Sequence, residues 1–391
     1  MRILCLIGGF LPRIGGAELA VHHLAEGWVS LGHEVLLCTT TWKSRPAHVH
    51  RYGLQRHWIP RGFERFGLVD WWVGISFLKT ARTWKPDIIH SHYAWPAGYS
   101  AVRCRAKLNL PVVITSHGAD VQRVPGIGYG MRLKPGLDRK IVYALTHADH
   151  LIAIGKDIRE EYLTLGVDNA RIETIPNGID FSLLSTPDPL ARKTLNFSPD
   201  RLIILTVGRN HPKKGFENLI VAMKEVIQEF PAVMCVIVGG GVPQLADEVA
   251  QAGLTGHVLL YDQALPVGVD FIDQPALPDK KIGNFFKSAD IFALPSLKEG
   301  LPVCVLEAMS SGLPIVATQT SGVEDLIENN INGILTPIGD PHAFAMALIP
   351  LLKNETLRRE MGKASQHKAS AFDRIKIASQ HIDLFEKLLH H

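Results

Sequence analysis

With 391 residues, 46% of them hydrophobic and 20% charged, the chain is an ordinary soluble sequence with material for two cores. Its five cysteines (Cys5, Cys38, Cys104, Cys235, Cys304) are odd in number, scattered and without a C-x-x-C pair, which suits reduced thiols in a cytosolic protein better than a disulfide framework. A net charge of +3 hides an asymmetry: residues 1–180 carry 22 Lys/Arg against 15 Asp/Glu, and residues 43–107 alone carry 12 against 3.

In chain order, Arg2 to Gly8 reads as a first strand, and the Gly/Pro punctuation after it fits a strand and loop better than a signal peptide. Gly15-Gly16-Ala17-Glu18 then hands over to a helix over 17–31, with Ala20, Val21, Leu24, Trp28 and Leu31 on one face and a stop at Gly32. The basic stretch 43–107 is interleaved with Trp58, Phe63, Phe66, Trp71 and Trp72. Such a patch suits an anionic membrane surface, a phosphate-bearing acceptor or nucleic acid, and equally a solvated arginine face over core aromatics. Its longest apolar run, Phe66 to Leu78, is interrupted by Asp70 and is too short to span a bilayer. A cytoplasmic protein, soluble or peripheral, is expected.

Short β-branched runs follow at Pro111 to Thr115 and Ala148 to Ile154, with His90 and His92 in an H-x-H string and His117 just after a strand. Continuous runs of this kind mark parallel strands buried on both faces. Pro176-Asn177-Gly178 has hinge chemistry, and residues 182–200, rich in Ser, Pro and Asp, read as a linker. The grammar then repeats. Arg201 to Gly208 echoes Arg2 to Gly8, Pro314 to Thr318 echoes Pro111 to Thr115, and Ala289 to Leu294 echoes Ala148 to Ile154. Two α/β domains, each Rossmann-like, are the expected fold. Neither first strand is followed by G-x-G-x-x-G, and Gly239-Gly240-Gly241 fails that pattern, which speaks against a dinucleotide site. Residues 262–281 find no assignment.

Chemistry concentrates in the second half. After its first strand comes Gly208-Arg209-Asn210-His211-Pro212-Lys213-Lys214-Gly215. Further on, an apolar segment ends at Pro295-Ser296, a loop carries Glu299-Gly300, and Pro302 opens a ten-residue helix that stops at Gly312. A helix N-terminus attracts anions, so Glu299 is expected beside a bound phosphate, with Glu307 about 7 Å further along at 1.5 Å per residue.

The strings Glu299-Gly300-Leu301-Pro302, Leu306-Glu307-Ala308-Met309 and Gly312-Leu313-Pro314 together resemble the donor-site motif of the family-four retaining glycosyltransferases, and the resemblance covers nearly the whole chain. It implies the GT-B architecture, two facing Rossmann-like domains with a donor cleft between them: 1–181 for the acceptor, a linker at 182–200, and 201–371 for the donor. A crossover helix at 372–389 would rejoin the first domain. It implies Arg209 and Lys214 on the diphosphate, and Gly15 and Gly16 near diphosphate and acceptor. His117 would contact the donor sugar. Glu299 would orient that sugar and steady charge at its anomeric carbon, with Gly300, Leu301 and Val303 beside it and Glu307 on the ribose diol. The implied reaction moves a hexose from a nucleotide sugar, UDP-linked first and GDP-linked second, to a glycan or lipid-linked acceptor in envelope polysaccharide or glycolipid synthesis. No metal, no further cofactor and no nucleic acid are expected; contact with an anionic membrane would run through residues 43–107. A nucleotide-sugar epimerase of the same architecture is the alternative, separable by incubation with donor alone. A non-catalytic binding module and an NAD-dependent dehydrogenase fit the motifs less well.

Overall fold

A computed structural model describes residues 1–10, 15–41, 51–60, 62–63, 68–262 and 280–390. The chain forms two compact units, one from Met1–Gly178 together with the chain from Arg374 on, the other from Ile179 to Asp373.

The first unit alternates β1 (Arg2–Ile7), α1 (Gly16–Ser30), β2 (Glu34–Thr41), β3 (Gly53–Trp58), α2 (Val69–Trp84), β4 (Ile88–His92), α3 (Tyr99–Leu108), β5 (Val112–Ser116), α4 (Pro135–His147), β6 (His150–Ala153), α5 (Lys156–Thr164) and β7 (Ile172–Thr174). Its described strands make one parallel sheet in the order β3-β2-β1-β4-β5-β6-β7. The strands sit where the apolar runs predict them, because β4, β5 and β6 are buried along their whole length and helices cover both faces. Helix α1 buries Ala20, Val21, Leu24 and Trp28 as its spacing predicts. Leu31, expected on that face, is exposed, because the helix ends at Ser30 and the chain turns away at Gly32, φ +85°.

The C-terminal helix, Arg374–Leu389, packs on α1 at a glycine. A Cβ on Gly27 would lie 2.7 Å from both Ala378 Cβ and the Arg374 carbonyl oxygen, so the two helices touch backbone to backbone there. Beside that contact, fully buried Trp28 meets the rings of His381 and Phe385 at 5.9 and 5.8 Å.

The second unit runs α6 (Phe181–Ser185), α7 (Ala191–Thr194), β8 (Leu202–Val207), α8 (Phe216–Glu229), β9 (Val233–Val238), α9 (Ala246–Gln251), β10 (Val258–Tyr261), α10 (Lys280–Ser288), β11 (Ile291–Leu294), α11 (Val303–Ser310), β12 (Ile315–Thr318), α12 (Ser321–Glu324), β13 (Gly333–Thr336), α13 (Pro341–Lys353) and α14 (Glu355–Ala369). Its sheet, also parallel, has the order β10-β9-β8-β11-β12-β13. Residues 182–200, read as a linker from composition, carry α7 and bury Leu184, Ala191 and Phe197; Arg192 binds Asp290 at 2.5 Å and the carbonyls of Ser288 and Arg201.

The two sheets share a device that the sequence echoes misalign. Asp290 accepts the Ile203 N–H at 2.7 Å, and Asp87 accepts the Arg2 N–H at 2.6 Å, so each aspartate pins the start of its unit's first strand. By position β11 therefore corresponds to β4. The echoed β6 lies two strands further out, and its Asp149 caps Val112 of β5 instead, at 2.8 Å. Residues 263–279, most of the unassigned stretch 262–281, lie outside the described residues, as do Phe66, the basic segment 42–50 and the Trp58 side chain.

Candidate functional site

In the second sheet the strand order changes direction between β8 and β11, which leaves a crevice at their carboxyl ends. The loops leaving these two strands carry the charged motifs. After β8, one 3-10 turn (Pro212–Lys214) ends at Gly215, φ +61°, where a Cβ would lie 2.2 Å from the Pro295 carbonyl oxygen. Glycine thus lets this loop rest on the end of β11, and the Leu297 N–H donates to the Lys213 carbonyl at 2.7 Å.

Glu299 closes the junction. Its Oε1 accepts from Lys214 Nζ and from Ser296 Oγ, both at 2.7 Å, and its Oε2 from Lys213 Nζ at 3.2 Å. The side chain is buried. Burial by itself would raise its pKa, but the two ammonium groups and the hydrogen bonds outweigh that and hold it at about 2. Lys213 and Ser296 were not singled out in the sequence. The Lys213-Lys214 doublet was a visible signal; the meeting across 86 residues was not.

Two glycines seat these loops. A Cβ on Gly322 would fall 1.5 Å from the Gly300 carbonyl oxygen, and one on Gly239 (φ +158°) 1.8 Å from that of Gly208. The Asn210 N–H donates to the Gly240 carbonyl at 2.9 Å. The triple-glycine turn that fails the dinucleotide pattern therefore backs the Arg209 loop, with Arg209 itself exposed.

Helix α11 begins at Val303 and has eight residues, not the ten expected from Pro302. Pro302 is extended, ψ 111°, and caps the helix without a side-chain hydrogen bond; the Val305 N–H turns back to the Pro302 carbonyl at 3.1 Å, which leaves those of Val303 and Cys304 for a ligand or water. Gly300, Leu301 and Val303 lie at this end. Glu307, one turn further on, is buried, and its Oε1 has no hydrogen-bond partner among the described residues. Burial pushes its pKa up to about 8.

In the first unit, Gly15 caps α1 at φ −150°, an extended conformation open to any residue, and Gly16 is the first helical residue. His117 follows β5. Its N–H donates to Asp120 Oδ1 at 3.1 Å, and Asp120 Oδ2 accepts the Ala94 N–H at 2.8 Å. His117 Nε2 lies 3.0 Å from His92 Nδ1, with the rings stacked at 5.2 Å. Burial lowers the pKa of His117 to about 4 and that of His92 well below its usual value, so both are neutral and one must donate to the other. The tautomers of the two rings are thereby coupled. Tyr93, at φ +70°, also lies against the His117 ring, at 5.2 Å. His90 is a core residue, bonded to Thr115 Oγ1 at 2.8 Å and packed on Trp28 and Phe385.

Two family models match the chain, Glycosyltransferase Family 4 over residues 14–183 and Glycosyl transferases group 1 over residues 188–368. D-inositol 3-phosphate glycosyltransferase of Segniliparus rotundus is 26% identical over 297 residues, covering 74% of this chain but 64% of its own length. The chain thus spans less than two thirds of that relative. N-acetyl-alpha-D-glucosaminyl L-malate synthase of Bacillus anthracis is 23% identical over 388 residues, 97% of this chain and 95% of the relative. Sucrose-phosphate synthase from Thermosynechococcus elongatus has the same fold, with a TM-score of 0.82 at 23% identity over 100% of this chain and 99% of that one. Anabaena HepE in complex with UDP-glucose gives 0.78 at 21%, over 99% and 100%.

Proposed function

The chain belongs to the group 1 glycosyltransferases of family four, and from that premise we propose that it moves a hexose-type sugar, with retention, from a nucleoside diphosphate to a hydroxyl of a glycan or lipid-linked acceptor. UDP is the first choice of carrier, supported by the UDP-glucose bound to the similarly folded Anabaena protein, and GDP the second. The observation that carries the reading is the Lys213–Glu299–Lys214 cluster at the switch point of the second sheet, with the buried Glu307 Oε1, without a partner among the described residues, one turn into α11.

In this reading Arg209, Lys213 and Lys214 neutralise the diphosphate, together with the open end of α11 at Gly300, Leu301 and Val303. Fixed cations then supply the charge that a divalent metal supplies in other transferases. Glu299, ionised at any neutral pH, orients the sugar hydroxyls and faces the positive charge that develops at the anomeric carbon. Glu307 takes the ribose diol. His117 keeps its assignment as a sugar contact, its ring paired with that of His92, and Gly15-Gly16 theirs near diphosphate and acceptor. Retention follows from same-face attack: the acceptor oxygen bonds to the anomeric carbon as the bond to the leaving phosphate oxygen breaks, and that phosphate takes the acceptor's proton. A thermal-shift panel of nucleotide sugars tests the donor, since ligand at a hundredfold its Kd stabilises by about 2.7 kcal/mol. Stabilisation by none of them would overturn the reading, and a new nucleotide sugar formed from donor alone would replace it with epimerisation.

Arg209→Ala and Lys214→Ala should each weaken nucleoside diphosphate binding by about tenfold or more, as expected for a lost charge-assisted hydrogen bond. Calorimetry checks this; unaltered affinity would remove them from the site. Glu307 predicts a pH effect. Its folded pKa of about 8 lies above the usual 4.5, so the folded state keeps a proton that the unfolded chain releases, and this group's contribution to stability falls as pH rises from about 4.5 to 8. Glu307→Gln should abolish that fall in denaturant melts. If the carboxylate accepts from the ribose diol, nucleotide affinity in the wild type should climb towards pH 8 relative to the variant.

A further inference from the structure

The exposed side of α2 combines two chemistries. Leu68, Trp71, Ile75, Lys79 and Arg82 recur every three or four residues and so form one outward stripe, apolar at the start of the helix and cationic at its end. Leu68, Trp71 and Ile75 are 39%, 56% and 42% exposed. Trp72, next to Trp71, turns back against the Phe63 ring at 5.5 Å, so the exposure of Trp71 is not general to the segment's aromatics. Helix α3 lies alongside, its Cys104 Sγ 3.4 Å from the Gly74 carbonyl oxygen, and adds exposed Arg103 and Lys107. Helix α3 contains no acidic residue. The acid of α2, Asp70, is turned inward, where it accepts from Trp95 Nε1 at 2.7 Å and binds Lys140. Among the described residues of α2 and α3, the face is therefore cationic around an apolar tip.

We propose that the α2–α3 face docks the protein on an anionic lipid bilayer. It gives the membrane contact of residues 43–107 a definite surface and rests on that contact existing. Leu68, Trp71 and Ile75 enter the headgroup boundary, where an indole ring is at home. Lys79, Arg82, Arg103 and Lys107 lie along lipid phosphates, their long stems covering the apolar edge while their charges stay wet. Charge complementarity selects the bilayer over a protein groove: three apolar side chains are too few for a stable protein interface, whereas four cations beside them match a surface of repeated phosphates. No helix among the described residues is long and apolar enough to cross a membrane, so the contact proposed is peripheral.

The test is co-flotation of the full chain with vesicles of phosphatidylcholine alone or mixed equally with phosphatidylglycerol. Wild type is expected on the mixed vesicles at low salt, with binding falling as salt rises, and not on phosphatidylcholine. Trp71→Ala with Ile75→Ser, and Lys79→Glu with Arg82→Glu, should each reduce binding at least tenfold without changing the melting temperature. Lys363→Glu, an exposed lysine on α14 of the second unit, should leave it unchanged. Failure of the wild type to bind mixed vesicles at low salt overturns the membrane contact itself. Binding that survives both double variants overturns this face alone, and equal binding to neutral vesicles overturns its cationic half.

Discussion

Glu299→Gln is expected to lower sugar transfer by about a hundredfold or more while nucleoside diphosphate affinity stays level or rises. The combination follows from the carboxylate's surroundings. It holds Lys213 and Lys214 at 3.2 and 2.7 Å, so in the proposed role a glutamine both removes the negative charge assigned to the anomeric centre and releases two cations for phosphate. A group whose only task was to neutralise lysines would show the second effect without the first. Transfer at wild-type rate, with calorimetry showing unchanged affinity, would sink the assignment. The substitution also has an acid signature. The folded pKa of Glu299, about 2, lies below the usual 4.5, so its contribution to stability is full above pH 4.5 and is lost as pH falls towards 2. The variant should lack that component of acid sensitivity.

Gly322→Ala should damage both stability and activity. Its added Cβ would lie 1.5 Å from the Gly300 carbonyl oxygen, and since the backbone sets the positions of both atoms, no rotamer change relieves the overlap. Either α12 or the Glu299–Gly300 loop must move. Overpacking of this kind costs about 1–3 kcal/mol and occasionally more. Displacing a catalytic carboxylate by about 1 Å can cost a hundredfold in rate, so transfer should fall well beyond what the lost stability explains. Gly283→Ala, in α10 with no atom of the described residues within 4 Å of the new Cβ, is the contrast: it should gain about 0.5–1 kcal/mol. Denaturant melts alongside initial rates would decide, and a Gly322→Ala protein with normal rates would show that the loop tolerates movement.

The parts of this molecule legible in its sequence are those where one segment determines the outcome. β1, β5, β8, β11 and β12 fall on apolar, β-branched runs because burial on both faces favours such residues, with only small hydroxyl side chains such as Thr115, Thr206 and Thr318 among them. What was hidden arises between segments. Lys213 and Ser296 join Glu299 only because two loops leave neighbouring strands, and the need for glycine at 239 and 322 lies in the carbonyls of residues 208 and 300. The Ala-Asp strings before β6 and β11 look alike because each aspartate caps the start of an adjacent strand. Which strand is adjacent is a property of the sheet, so the likeness misaligned the halves. Likewise the glutamate at 307 was visible, but its burial without a partner was not.

The packing of the C-terminal helix on α1 sets an order of events on the ribosome. The first unit begins with Met1 yet includes the chain from Arg374, so all of 179–373 must be made before its last piece exists. At roughly 5–20 residues per second, that interval is on the order of ten to forty seconds. During it, Gly27, Trp28 and His90 lack the cover that Ala378, His381 and Phe385 later give them. The nascent protein thus carries an open apolar seam on its older half while the younger half folds. A stalled or truncated chain would leave that seam uncovered, a target for chaperones and proteases.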